Sequence, residues 1–131
     1  MKFLKIKETC LYVNDLAKAR HFYEDVLELT LISYLEGKHA FFTAGSSVLL
    51  LFNPEDSRKK VSPPAHYGEG KQHFAFEVPD EQYEAAKRWI KAKGITITEE
   101  VTWQSGKQSF YFEDPEGNVL EIVPDQGIWP S

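Results

Sequence analysis

Glu8-Thr9-Cys10-Leu11-Tyr12-Val13-Asn14-Asp15 and His73-Phe74-Ala75-Phe76-Glu77-Val78-Pro79-Asp80 align without a gap, and this alignment decides the fold. Each run is rich in β-branched, aromatic and apolar residues, as a strand requires, and ends in an Asp able to cap a helix by accepting from its orphan N–H groups. Helical spacing follows both times: Leu16, Ala19, Phe22 or Tyr23, then Tyr83, Ala86, Trp89 or Ile90. Three short strands are predicted after each helix, at 31–35, 40–43 and 48–52, and at 95–101, 108–112 and 119–123. Gly94 stands where a helix ends in the left-handed region, and Asp114-Pro115-Glu116-Gly117-Asn118 is a turn. Val48 to Phe52 matches Val119 to Val123. The chain therefore reads as βαβββ written twice, modules 1–53 and 71–124 joined by a Pro- and Gly-rich connector 54–70, in a single domain 1–131 of the α+β class.

The 131 residues suffice for one core, and 42% apolar with 27% charged residues is a globular balance. A net charge of −5 argues against a protein that lives on nucleic-acid phosphates. The longest apolar run, Val48 to Phe52, is far short of the ~20 residues that span a bilayer, and the start of the chain lacks a signal-peptide apolar run. Cys10 is the single cysteine and can form no internal disulfide. The expected setting is cytoplasmic, without membrane or nucleic-acid partners.

Strand side chains alternate between faces. Thr9, Leu11 and Val13 share one face of the first strand, while Glu8, Cys10 and Tyr12 share the other. In the matched strand Phe74, Phe76 and Val78 oppose His73, Ala75 and Glu77. The apolar faces belong under the helices. The opposite faces then offer Glu8, His73 and Glu121 to one kind of surface, with Leu50 in the fourth matched place. One imidazole and two carboxylates suit a divalent ion of the Mn, Fe, Co, Ni or Zn type. Spacing alone leaves the plainer reading open, in which a strand His is hydrogen-bonded and a strand Glu solvated. No compact ligand motif such as HExxH or CxxC is present.

Leu11-Tyr12-Val13-Asn14-Asp15-Leu16 followed by His21-Phe22-Tyr23, then His73 to Val78, then Phe112 to Glu121, resemble the signatures of the vicinal oxygen chelate superfamily. It includes glyoxalase I, extradiol dioxygenases, fosfomycin thiol transferases and bleomycin-binding proteins, and the resemblance runs from Ile6 to Pro124. It implies two βαβββ modules curling into an incomplete eight-stranded barrel, and a metal held by the first and last strands of each module. His73 and Glu121 match the second-module ligands, and Glu8 takes the place where members similar to glyoxalase I carry His or Gln. Leu50 takes the place of a Glu, which removes a carboxylate from glyoxalase I chemistry and leaves three protein ligands. Small members of the family assemble as homodimers, so the resemblance implies that Glu8 of one chain joins His73 and Glu121 of another.

The expectation is a metal-dependent enzyme that binds a small oxygen-bearing substrate by two oxygens. His73, Glu121 and Glu8 hold the metal, and Glu121 or Glu8 doubles as catalytic base. The reaction is of lyase or isomerase, thiol transferase or dioxygenase type. The alternatives are a metal-free binder of a cationic drug, similar to the bleomycin-resistance members, and an accessory domain with an unused pocket. Tyr12, Leu50, Phe52, Trp103 and Tyr111, with Phe41, are the candidate pocket wall, although core packing is the commoner role of aromatics. Cys10 is expected as a small buried residue and His21 on a helix surface. His39 and His66 receive no role.

Overall fold

The two aligned stretches become the first strands of two separate four-stranded sheets with the same strand order. The computed structural model describes residues 1–130. They fall into two units, Met1–Gly70 and Lys71 onward. No helix among the described residues is long and apolar enough to cross a membrane.

In the first unit β1 (Glu8–Tyr12) lies parallel to β4 (Ser47–Phe52), which pairs antiparallel with β3 (His39–Ala44), and β3 with β2 (Thr30–Leu35). The helix α1 (Leu16–Arg20) widens into a π-helical stretch, His21–Val26. The Asp15 carboxylate caps it by accepting from the Lys18 N–H at 3.0 Å. Leu11, Val13, Ala40, Phe42, Leu49 and Leu51 are buried on one sheet face, with Leu16, Ala19 and Tyr23 buried on the helical segment. The Tyr23 and Phe42 rings meet at 5.9 Å. Each large side chain withdrawn from water in this way contributes roughly 1.5–3 kcal/mol against the entropy of ordering it.

The second unit repeats the plan. β5 (His73–Val78) is parallel to β8 (Val119–Pro124), followed by β7 (Gln108–Glu113) and β6 (Glu99–Thr102). A 3-10 turn, Asp80–Gln82, leads into α3 (Tyr83–Ala92), and Gly94 ends that segment at φ 80°. Tyr83 and Ile90 are buried with Phe110, Phe112, Leu120 and Ile122. The registers confirm the alignment of the halves: Glu8 faces Val48 and Cys10 faces Leu50, while His73 faces Val119 and Ala75 faces Glu121. Leu50 and Glu121 therefore occupy the same place in their sheets.

One expectation needs correction. The strand predicted from Ile95 begins only at Glu99. Glu99 faces Tyr111, so continuing the register would set Ile97 opposite Glu113 and Ile95 opposite Pro115, where the partner has already turned and Pro has no N–H to donate. The connector carries a short helix, α2 (Pro54–Ser57), and groups with the first unit. Gly68 lies so close to the Tyr12 ring that a Cβ there would sit 2.7 Å from it.

Candidate functional site

On the second sheet the face opposite the core carries His73 and Glu121. The turn before β8 fixes them. Asp114, buried, accepts from the Glu116 and Asn118 N–H groups at 2.9 Å and from the Asn118 side-chain amide at 3.0 Å. Asn118, also buried, accepts in turn from the Gln72 N–H at 3.0 Å and so ties the start of β5 to β8. His73 follows directly. Its Nδ1 lies 2.8 Å from the Val119 carbonyl. A carbonyl only accepts, so Nδ1 carries a proton and donates it there. Nε2 then points at Glu121 Oε1, 3.3 Å away.

The His73 side chain is 51% exposed and that of Glu121 only 9%. Tyr111 stands directly opposite Glu121 across β7 and β8, with its ring 6.1 Å from that of His73. Burial raises the Tyr111 pKa above the ordinary phenol value; Ser109 opposes this and Glu121 adds to it, both through hydrogen bonding. Ser109 is fully buried and accepts from the Trp103 indole N–H at 2.9 Å. Trp103 thus braces the strand that carries Tyr111, and its indole remains about a third exposed, 36%.

The matched face of the first sheet is apolar. A cavity of about 940 Å³ opens on it, lined by Phe41, Val48, Leu50 and Phe52, by Glu8 and Cys10 of β1, and by the connector residues Lys60, Pro63, Pro64 and His66. Leu50 and Phe52 line it. Tyr12 supports the wall instead: its ring lies 6.4 Å from Phe52 and its hydroxyl is hydrogen-bonded to His66 Nδ1 at 2.7 Å. Burial, with the Cys10 thiol beside it, pushes the Tyr12 phenol up to about 12. Cys10 is exposed rather than buried, because it lies on this open face.

Sequence reasoning missed both histidines of this cavity. His39 stacks on Phe41 at 3.9 Å and its Nε2 is hydrogen-bonded to the Ser33 hydroxyl at 2.9 Å. Burial, then the charge of Lys60, lowers its pKa from the ordinary value. His66 meets Phe52 edge-on at 4.6 Å. Only the period of β3, which puts His39 and Phe41 on the cavity face, carried a sequence signal. His21 is an exposed helix residue paired with Asp25 at 2.8 Å, as expected.

The structure thus brings His73 and Glu121 together on one sheet, with Glu8 on the other. Among the described residues no group of three or more His, Cys, Asp and Glu side chains is gathered to hold a metal ion. The pair itself fits an intermediate divalent ion. It offers one imidazole nitrogen and one carboxylate, and the other imidazole nitrogen is anchored on a carbonyl, the outer support that orients metal-binding histidines.

Residues 5–122 match the family model described as the Glyoxalase/Bleomycin resistance protein/Dioxygenase superfamily. The chain is 33% identical over 116 residues to a glutathione transferase FosA of Serratia marcescens, covering 86% of this chain and 74% of that protein. It is 29% identical over 111 residues to a metallothiol transferase FosB of Staphylococcus haemolyticus, covering 84% and 76%. Among solved structures, the crystal structure of a lactoylglutathione lyase from Agrobacterium tumefaciens superposes with a TM-score of 0.91 at 33% identity, covering 95% of this chain and 96% of that one.

Proposed function

This chain belongs to the glyoxalase/bleomycin resistance protein/dioxygenase superfamily, and within it we propose that it is a metal-dependent thiol transferase acting on a small oxygen-bearing electrophile. The observation that carries the metal is the His73–Glu121 pair. With the Nδ1 proton committed to Val119, unshared electron pairs on Nε2 and on the carboxylate face each other at 3.3 Å. A bridging proton or a cation relieves that opposition, and a divalent ion does so while leaving positions open. His73, Glu121 and Glu8 would hold the ion. In the homodimer that the family resemblance implies, Glu8 would come from a second copy of the chain.

A divalent ion there would act as a Lewis acid, polarising substrate oxygen. The rest falls to the chain. Glu121, nine-tenths buried, holds its carboxyl group beside His73. Leu50 supplies no carboxylate in the matched place, so the proton shuttling of an isomerase lacks one of its bases. Thiol addition needs none on that side: a C–S bond forms, a C–O bond opens, and the proton lost by the thiol ends on the new hydroxyl. The FosA and FosB relatives support this choice, and the lactoylglutathione lyase likeness makes isomerisation its competitor.

The test compares two assays on protein loaded in turn with Mn, Fe, Co, Ni or Zn. One follows addition of glutathione to a small epoxide, the other isomerisation of the hemithioacetal of methylglyoxal. Metal-dependent addition, lost at least ~100-fold in Glu121→Leu with folding intact, is expected. Isomerisation without addition would overturn the thiol-transferase reading. A metal-free binder is favoured by one observation, the apolar cavity beside Glu8. It predicts ligand binding with neither activity.

A further inference from the structure

We propose that the cavity on the first sheet is a binding subsite for a small aromatic anion, its ring on the apolar floor and its charge held by Lys60.

The strand order sets the dimensions. Glu8 faces Val48, Cys10 faces Leu50 and Tyr12 faces Phe52, so the cavity runs along β4 from an acidic end to an aromatic one. Phe52 lies four steps along the strand from Val48, which at ~3.3 Å a step is about 13 Å. Leu50 and Phe41 floor the middle. At the far end His39 faces Phe52 across β3 and β4, and His66 closes on Phe52 from the connector. A flat ring is the shape that stacks there.

Charge separates the two ends. Lys60 holds its ammonium over the Phe52 ring, 5.2 Å from the centroid, and among the described residues no carboxylate pairs with it. Lys38 adds positive charge near His39, and Asp56 is the acidic group that opposes it. Glu8, the one carboxylate lining the cavity, stands at the opposite end. An unpaired ammonium beside an apolar floor recognises a carboxylate, sulfonate or phosphate that comes with a ring attached. A cationic ligand would meet Lys60 head-on.

The probes are 1-anilinonaphthalene-8-sulfonate and its uncharged parent, N-phenyl-1-naphthylamine, titrated by fluorescence and calorimetry into the protein as purified. The sulfonate should saturate at one per chain and bind roughly tenfold more tightly than the parent. Lys60→Met should erase that preference while leaving the parent's affinity unchanged, and Leu50→Asp should weaken both probes. Equal affinity of the two probes, or a preference that survives Lys60→Met, would overturn the proposal. The same titration on His73→Ala separates the two claims. A preference retained there supports a subsite that stands whether or not metal binds, and a preference lost there overturns it.

Discussion

The two sheets share strand order and register yet present opposite chemistries. In the second, His73, Glu121 and Tyr111 meet on one face; in the first, the same places hold Glu8, Leu50 and Phe41. The loss is coordinated. Where Glu121 has the Tyr111 hydroxyl opposite, Leu50 has the bare ring of Phe41, so a carboxylate at position 50 would lack that partner. One copy of the unit carries a histidine and a carboxylate set by hydrogen bonds, and the other presents an apolar floor. The comparison teaches that two sheets of one backbone plan can carry a hydrogen-bonded polar pair on one and an apolar cavity on the other.

The turns before the last strands differ in the same sense, and this gives the largest expected effect on stability. Asp114→Ala removes three hydrogen bonds from a buried turn and should destabilise by about 2–4 kcal/mol, as read by chemical denaturation. Ser46→Ala in the matched turn of the first unit alters an exposed side chain and should change stability by less than ~0.5 kcal/mol. Equal effects would break the contrast between a pinned turn and a plain one.

A smaller effect distinguishes how each helix is tied to its edge strand. In the first unit Arg20 lies over the Tyr34 ring at 4.5 Å and donates to Glu24 of its own helical segment at 3.0 Å, so no carboxylate of the edge strand joins the contact. In the second, Lys87 donates to Glu100 at 2.6 Å and the Tyr83 hydroxyl donates to the same carboxylate at 2.8 Å. The Lys87 hydrogen bond, foremost, holds the Glu100 pKa below its ordinary 4.5, and Glu100 in turn raises that of Lys87. Because the folded value of Glu100 is depressed, its contribution is present above the unfolded pKa and is lost as pH falls through the lowered one. Lys87 gives the mirror case: its contribution is complete below 10.5 and is lost as pH rises through the raised value. Glu100→Gln should cost about 1 kcal/mol at neutral pH and flatten the acid limb of the stability profile. An unchanged limb would show that the tie contributes nothing.

The duplication was legible because strand alternation has period two, which fixes both the face and the pairing of Glu8 with His73 and of Leu50 with Glu121. What escaped the sequence lacks such a period. The connector's Pro and Gly residues signal irregular backbone but not where it packs, so His66, hydrogen-bonded to a residue 54 positions away, left no local trace. Nor does alternation at Ile95 and Ile97 reveal that the partner strand has ended. The support beneath Glu121, from Trp103 through Ser109 to the strand bearing Tyr111, needs the β6–β7 register, which sequence cannot supply.

The central claim is that the second sheet's His73–Glu121 pair holds a divalent ion. Metal content per chain, measured on wild type and His73→Ala purified without an affinity tag, tests it most directly. The account predicts Mn, Fe, Co, Ni or Zn near one per chain in the wild type and its loss in the variant. No metal in either protein after reconstitution with each ion, or equal metal in both, would contradict it.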